Sequence, residues 1–267
     1  MKQGILLVAF GVSGQQGEGA LKPFDARVRE RFPAVPVRWA FTSELARERM
    51  ARERVKSDSV LKALQKMWFE KFTHVAVQPL QTIPGAEHCN VQAAVAAMRG
   101  GPSGFAAIAA GEPLLADEAD LAAVAQAVLR HIPAERAPGD AVVLMGHGAK
   151  HAAKARYQAL SARVRAQDTR VFVGTMDGEP GLEAILPQLA PGQRVWLMPL
   201  LSLVGRHARE DMAGDAPGSW RSRLEAAGCP CVPVLKGTAE LEGFVDVWLE
   251  HLALAYEHIR HEVQRHG

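Results

Sequence analysis

His147 stands between two glycines at the end of an apolar run, Val143-Leu144-Met145-Gly146-His147-Gly148. Flanking glycines let the backbone turn sharply and leave the imidazole uncovered, which suits a metal ligand or a general base. A histidine that caps the following helix satisfies the same pattern, so both readings stay open on this segment alone. His207 follows a second apolar run, Val195 to Leu200, and the loop Leu203-Val204-Gly205-Arg206. Between the two, Gly174-Thr175-Met176-Asp177-Gly178 ends a third run and delivers a carboxylate to the same rim. A plain turn capped by Asp177 is the alternative there. Two imidazoles 60 positions apart, each past a strand end, can converge on one point. With Asp177 they form a set that suits a borderline divalent metal such as Co, Ni, Fe or Zn.

The elements that must carry these residues are written twice. Leu6-Leu7-Val8-Ala9-Phe10-Gly11 parallels Val143 to Gly148, and Val75-Ala76-Val77-Gln78-Pro79-Leu80 parallels Val195-Trp196-Leu197-Met198-Pro199-Leu200. In this pairing Phe10 stands opposite His147, and Glu87 stands opposite His207. Apolar runs bounded by Gly or Pro predict strands at 4–10, 35–41, 73–79 and 105–109, then at 141–146, 170–175, 194–199 and 231–235. Helical spacing falls at 20–31 and 44–72, and near 151–166, 179–189, 208–227 and 238–263. Strands alternating with helices imply right-handed crossovers and parallel sheets. The expected fold is α/β, with two similar doubly wound lobes, 1–137 and 138–267. They would meet at the junction Pro138-Gly139-Asp140, with the last helix packing back on the first lobe. Open parallel sheets place their chemistry at the carboxyl ends of the strands.

Composition narrows the class. With 48% hydrophobic and 22% charged residues the chain can build a core, so disorder is not expected. A net charge of +2 without a Lys/Arg tract argues against a nucleic-acid partner. No run approaches the roughly 20 apolar residues that span a bilayer, so no membrane partner is expected. Met1-Lys2-Gln3 leads into a short strand rather than a signal sequence, and Cys89, Cys229 and Cys231 form no disulfide framework. Both point to the cytoplasm. Cys229-Pro230-Cys231 is too tightly spaced for an ordinary redox pair, and His251, His258, His261 and His266 read as a solvated helix face. The glycine-rich stretch Gly11-Val12-Ser13-Gly14-Gln15-Gln16-Gly17 matches neither GxGxxG nor a P-loop, so no nucleotide is expected. No GxSxG elbow is present, and Ser13 lacks a neighbouring base.

Met145-Gly146-His147-Gly148, Gly174 to Gly178, and Met198 through Trp220 with His207-Ala208-Arg209-Glu210-Asp211-Met212-Ala213-Gly214-Asp215 resemble one family. It is the anaerobic sirohydrochlorin cobaltochelatases, the CbiK type of class II chelatase. Gly4 to Gly11 and Val37 to Thr42 resemble it too, so the likeness covers nearly the whole chain. The resemblance implies two chelatase lobes enclosing a tetrapyrrole cleft. It also implies ATP-independent insertion of Co(II) into sirohydrochlorin in cobalamin or related tetrapyrrole biosynthesis, with release of two protons. His147 and His207 match the family's metal histidines, and Asp177 falls where the family carries a glutamate. A first-lobe Leu-His of the family is Leu80-Gln81 here, so no haem is expected, and nearby His88 does not match that position.

On that resemblance His147 and His207 strip water from the ion and present it, while one of them takes a proton. Glu87 receives the second proton or holds a water. Phe10, Arg206 and Arg209 are candidates to bind the substrate, whose eight carboxylates call for cations. So are Arg52, Arg54 and Lys56, for which a solvated helix face is the alternative. The expected partners are sirohydrochlorin and a divalent ion (Co(II), with Fe(II) second), and a homo-oligomer is allowed. The alternatives are a sirohydrochlorin ferrochelatase for sirohaem and a non-catalytic tetrapyrrole- or metal-binding protein.

Overall fold

Ile5 to Ala9 are five consecutive residues without exposed surface, the pattern of a strand covered on both faces. They lie in β1 (Gln3–Ala9), flanked by β2 (Val37–Phe41) on one side and β3 (His74–Pro79) on the other, with β4 (Ala107–Ala110) outermost. All pairings are parallel, and the strand order is β2-β1-β3-β4. A second sheet repeats the order as β6-β5-β7-β8, built from β5 (Ala141–Gly148), β6 (Val171–Asp177), β7 (Val195–Leu200) and β8 (Cys231–Pro233). The computed structural model describes every residue except 12–13, 102, 149–153 and 267.

Register makes the repeat literal. Val8 pairs with Pro79 as Met145 pairs with Pro199, and Ile5 pairs with Val37 as Val142 pairs with Val171. Phe10 lies two residues past Val8, and His147 two past Met145. Glu87 and His207 lie equally far beyond the two prolines. In each sheet the order reverses at the first strand, so the switch point lies between β1 and β3, and between β5 and β7. That crevice is where doubly wound sheets bind ligands. Phe10 and Glu87 follow the two strands that flank the first switch point. His147 ends one strand at the second, and His207 follows the other.

The chain divides into two compact units, Met1–Ala116 with Val245–Gly267, and Asp117–Phe244. The division therefore falls at 116/117 rather than at 138. The helix α5 (Glu118–Arg130), opened by an Asp117–Asp120 capping box, is tied to the second unit by Arg163–Glu118 and Gln126–Gln167 contacts. The turn at Pro138 is equally fixed there, because Asp140 accepts from Trp196 Nε1 at 2.9 Å and Arg136 pairs with Asp168 at 2.5 Å. The final helix α9 (Glu242–His266) packs on the first unit through Trp248 against Phe24, with ring centroids 6.2 Å apart, and through Tyr256 Oη donating to Gln3 Oε1 at 2.6 Å. A 3₁₀ turn at Thr238–Glu240 precedes it.

Other helices depart from the sequence reading. The helix expected over 44–72 is two, α2 (Glu44–Arg52) and α3 (Val60–Phe69). Arg54 adopts φ 60°, and Ser59 starts the second helix by accepting from Lys62 N. The excursion leaves β2 at Thr42 and returns where Phe41 N donates to the Asp58 carbonyl at 2.9 Å. In place of one helix over 208–227 there is a π turn, His207–Met212, then α8 (Trp220–Ala226) capped by Ser219. Near 179–189, Pro187 confines the helix to α7 (Leu182–Ile185) and one 3₁₀ turn. α4 (Ala86–Ala97) and α5 were not anticipated. α1 (Gly14–Arg31) begins inside the glycine-rich stretch, whose Val12 and Ser13 lie outside the described residues, and α6 (Lys154–Arg165) follows 149–153, also outside them.

Candidate functional site

The two glycines around His147 have separate causes. Gly148 takes φ 102°, and a Cβ there would lie 2.0 Å from the Asp177 carbonyl oxygen, so only glycine fits. At Gly146 a Cβ would meet the buried Tyr157 ring at 2.5 Å. Together they press the end of β5 against its neighbours and leave His147 as the side chain that stands out at the rim. Its ring meets His207 edge-on, with centroids 5.0 Å apart and planes at 90°. Burial, and then the neighbouring His207, push the His147 imidazole below its ordinary pKa range, against the opposing pull of Asp177 and the Gly148 backbone. A lowered pKa favours the neutral imidazole, the form that binds metal.

His207 opens the π turn, in which Ala213 N donates to the Ala208 carbonyl five residues back at 3.2 Å. Fully buried Ala208 and Met212 anchor the turn. His207 Nδ1 and Asp211 Oδ2 lie 2.7 Å apart on it. Asp177 is exposed, and its Cα pairs with Gly148 across the ladder. It acts on His147 through its charge. Among the described residues, no group of three or more His, Cys, Asp or Glu is arranged to hold a metal ion. The structure thus joins two of the three expected ligands.

In the first unit Glu87 sits in the opening turn of α4. Burial raises its carboxyl pKa, and a 3.4 Å hydrogen bond from Thr42 Oγ1 holds it partly back. Thr42 is fixed in turn, since its N–H donates to the Ala9 carbonyl at 3.0 Å and its carbonyl accepts from Arg47 Nη1 at 2.9 Å. Phe10 is 43% exposed at the same rim. The sequence reading assigned nothing to Thr42, Arg47 or Asp211. Asp211 was visible as a carboxylate four positions after a histidine, whereas the Thr42–Glu87 contact spans 45 positions and leaves no local signal.

The arginines separate into two groups. Arg206 already pairs with Glu210 at 2.7 Å, with both side chains about 60% exposed, and Arg209 is exposed beside it. Arg52, Arg54 and Lys56 are exposed on the excursion that returns to the first rim at Asp58. Other candidates resolve as structural. His88 is buried against Gln92, with Nε2 atoms 3.2 Å apart, and His251 Nδ1 meets the Glu112 carbonyl at 3.0 Å instead of being merely solvated. His258 and His261 are exposed, while the His266 side chain lies outside what the structure describes. The Cys229 and Cys231 thiols are free, and burial pushes the Cys231 thiol up to about 12, far from a reactive thiolate. No described helix is long and apolar enough to cross a membrane.

A model of the cobalt chelatase (CbiK) family matches residues 3–257. A protein of Nitratidesulfovibrio vulgaris named sirohydrochlorin cobaltochelatase CbiKC is 60% identical over 256 residues, covering 95% of this chain and 90% of that protein. The sirohydrochlorin cobaltochelatase of Salmonella typhimurium is 34% identical over 258 residues, covering 94% of this chain and 96% of that one. Among solved structures, SirB from Bacillus subtilis with Fe3+ matches with a TM-score of 0.64 over 96% of both chains, at 17% identity. That last likeness is one of fold alone.

Proposed function

The chain belongs to the cobalt chelatase (CbiK) family, and from that premise we propose that it inserts Co(II) into sirohydrochlorin without ATP. The macrocycle takes up one dication and gives up two pyrrole N–H protons, so charge balances within the complex. The observation that carries the proposal is the edge-to-face pair of His147 and His207 at a sheet switch point. Two imidazoles supply two ligands and leave the remaining positions of the ion to water and the incoming pyrrole nitrogens. A site of this kind holds the ion loosely enough to give it away. Asp177 favours the cation through its charge on that rim.

Glu87 is proposed as the proton acceptor. Its support is its place in the repeat, opposite His207, and the burial that makes its carboxylate a stronger base than an exposed one. Phe10 offers an apolar face to the macrocycle, and Arg206, Arg209, Arg52 and Arg54 are proposed to meet its carboxylates. The reaction needs no cofactor beyond the metal substrate. The free thiols of Cys89, Cys229 and Cys231 suit the cytoplasm.

The test mixes purified protein with sirohydrochlorin and follows the macrocycle absorption with Co(II), Fe(II) and no metal. Metallation well beyond one equivalent per chain, fastest with Co(II), is the expected result. Formation that stops at one equivalent would make this a binding protein, and faster turnover with Fe(II) would make it a ferrochelatase.

A further inference from the structure

We infer that Asp211 is a positioning residue that fixes His207 in the tautomer whose Nε2 binds the metal substrate. The inference rests on the proposed role of His207 and deepens it. An ionised carboxylate can only accept hydrogen bonds, so at 2.7 Å from Asp211 Oδ2 it is Nδ1 of His207 that carries the proton. In the neutral imidazole Nε2 is then the nitrogen with a free lone pair, the one able to bind a metal. Metal-bound histidines generally donate their other ring N–H to such an acceptor, which fixes the tautomer and ring orientation and raises ligand basicity.

Three observations separate this contact from an ordinary surface pair. The π turn sets the two side chains together while buried Ala208 and Met212 hold its other face, so the backbone beneath them is anchored. Aspartate is short and loses little rotamer freedom when held, unlike the Arg206–Glu210 pair one residue earlier on the same turn. The side chains are 38% and 47% exposed, and pairs that open to water add little to the stability of a fold. Folding therefore gains little from Asp211. Orientation of the imidazole beside His147 is what it supplies.

The experiment uses the whole chain with Co(II) alone, so that it does not depend on turnover. Long-range proton–nitrogen NMR on histidine-labelled protein reads the His207 tautomer, and calorimetry reads Co(II) affinity. Wild-type His207 is expected as Nδ1–H. Asp211→Ala should weaken Co(II) binding about 10–100-fold, and Asp211→Asn less, because its amide still accepts at Nδ1–H but also permits the wrong tautomer. Asp215→Asn removes another carboxylate of the same segment, one paired with Arg221 and 92% exposed, and should leave binding unchanged. In turnover assays KM for Co(II) should rise more than kcat falls, with circular dichroism and melting unaltered. A wild-type His207 found as Nε2–H overturns the inference even where the variants fail to fold. So does an Asp211→Ala variant that binds Co(II) like the wild type. Expected tautomer and binding results in a protein that metallates nothing would refute the chelatase reading and leave Asp211's role standing.

Discussion

The two sheet rims share strand order and register, and they differ in what stands at matching positions. At the second rim His147 and His207 offer nitrogen lone pairs, with Asp177 and Asp211 supplying negative charge close by. At the first, the same positions carry Phe10 and Glu87, an apolar ring and a carboxyl whose burial favours the protonated form. Metal insertion asks for two opposite services, presenting a cation and removing protons. A cation site and a proton acceptor interfere if they are the same group, because protonating a ligand expels the metal. On the proposed assignment, the difference at two matching positions separates the tasks on one repeated scaffold.

The sharpest way to break that comparison is to strip the second rim. The His147→Ala, His207→Ala double variant should lose cobalt insertion by at least about a hundredfold, measured as the initial rate of macrocycle metallation. Near-normal rates would place metal delivery elsewhere. Neutralising the first rim tests the other half. Glu87→Gln should lower kcat by about a hundredfold while KM for sirohydrochlorin changes little, since its assigned task is proton transfer and not binding. The pH profile carries a second readout. With Glu87 as the proposed proton acceptor, insertion needs its ionised carboxylate, so wild-type activity should climb with pH along a limb displaced above the ordinary carboxylate range, as burial dictates. That limb should vanish in Glu87→Gln. An unchanged kcat would reduce Glu87 to a structural residue and leave the rims alike in function.

Charge offers a third division between the rims. Sirohydrochlorin carries eight carboxylates and protoporphyrin two, so arginines that meet the first are left without partners by the second. Charge-assisted hydrogen bonds contribute roughly 1.5–3 kcal/mol each where water is excluded, and losing two amounts to a factor of at least about a hundred. Sirohydrochlorin should be preferred by that order at low salt, with the preference shrinking as ionic strength rises. Removing Arg52 and Arg54 should erode it more than removing Arg206, whose guanidinium Glu210 already holds. Comparable efficiency on both macrocycles would refute the charge argument.

Much of this was legible in the sequence because buried parallel strands advertise themselves. Runs such as Ile5 to Ala9 and Val142 to Met145, closed by Gly or Pro, put the eight strands within about three residues of their observed ends. The place of His147 at a strand end was legible through its glycines, whose necessity the Asp177 carbonyl and Tyr157 ring now explain. α4 was missed because its alanine-rich sequence carries little contrast between faces. The break after Arg52 was missed because Arg54 takes a left-handed conformation that arginine rarely signals. The π turn was missed because its pattern reads like any amphipathic helix, and tertiary anchoring by Ala208 and Met212 decides its geometry. Asp211 follows from that turn, and Thr42 from a fold contact no window of sequence contains.

The smallest effect concerns stability, and it distinguishes a residue kept for chemistry from one kept for folding. Glu87 has a folded-state pKa above its unfolded value, chiefly from burial. Its contribution to stability is therefore fully present below the unfolded pKa and is lost as pH rises through the folded one, because the folded state then holds a partly buried charge. Glutamine keeps the shape and can still accept from Thr42, yet never ionises. At acid pH, where Glu87 is protonated, wild type and Glu87→Gln should melt together. Above the folded-state pKa the variant should melt higher, by about 1–2 °C, the scale of a sub-kcal/mol gain in a chain of this size. Scanning calorimetry at several pH values measures the gap. A gap of the opposite sign at neutral pH would mean that the ionised carboxylate stabilises the first rim, and the trade of stability for basicity at Glu87 would be refuted. A gap that opens with pH while kcat collapses would identify Glu87 as a group held against the fold's preference, which is the mark of a side chain retained for its chemistry.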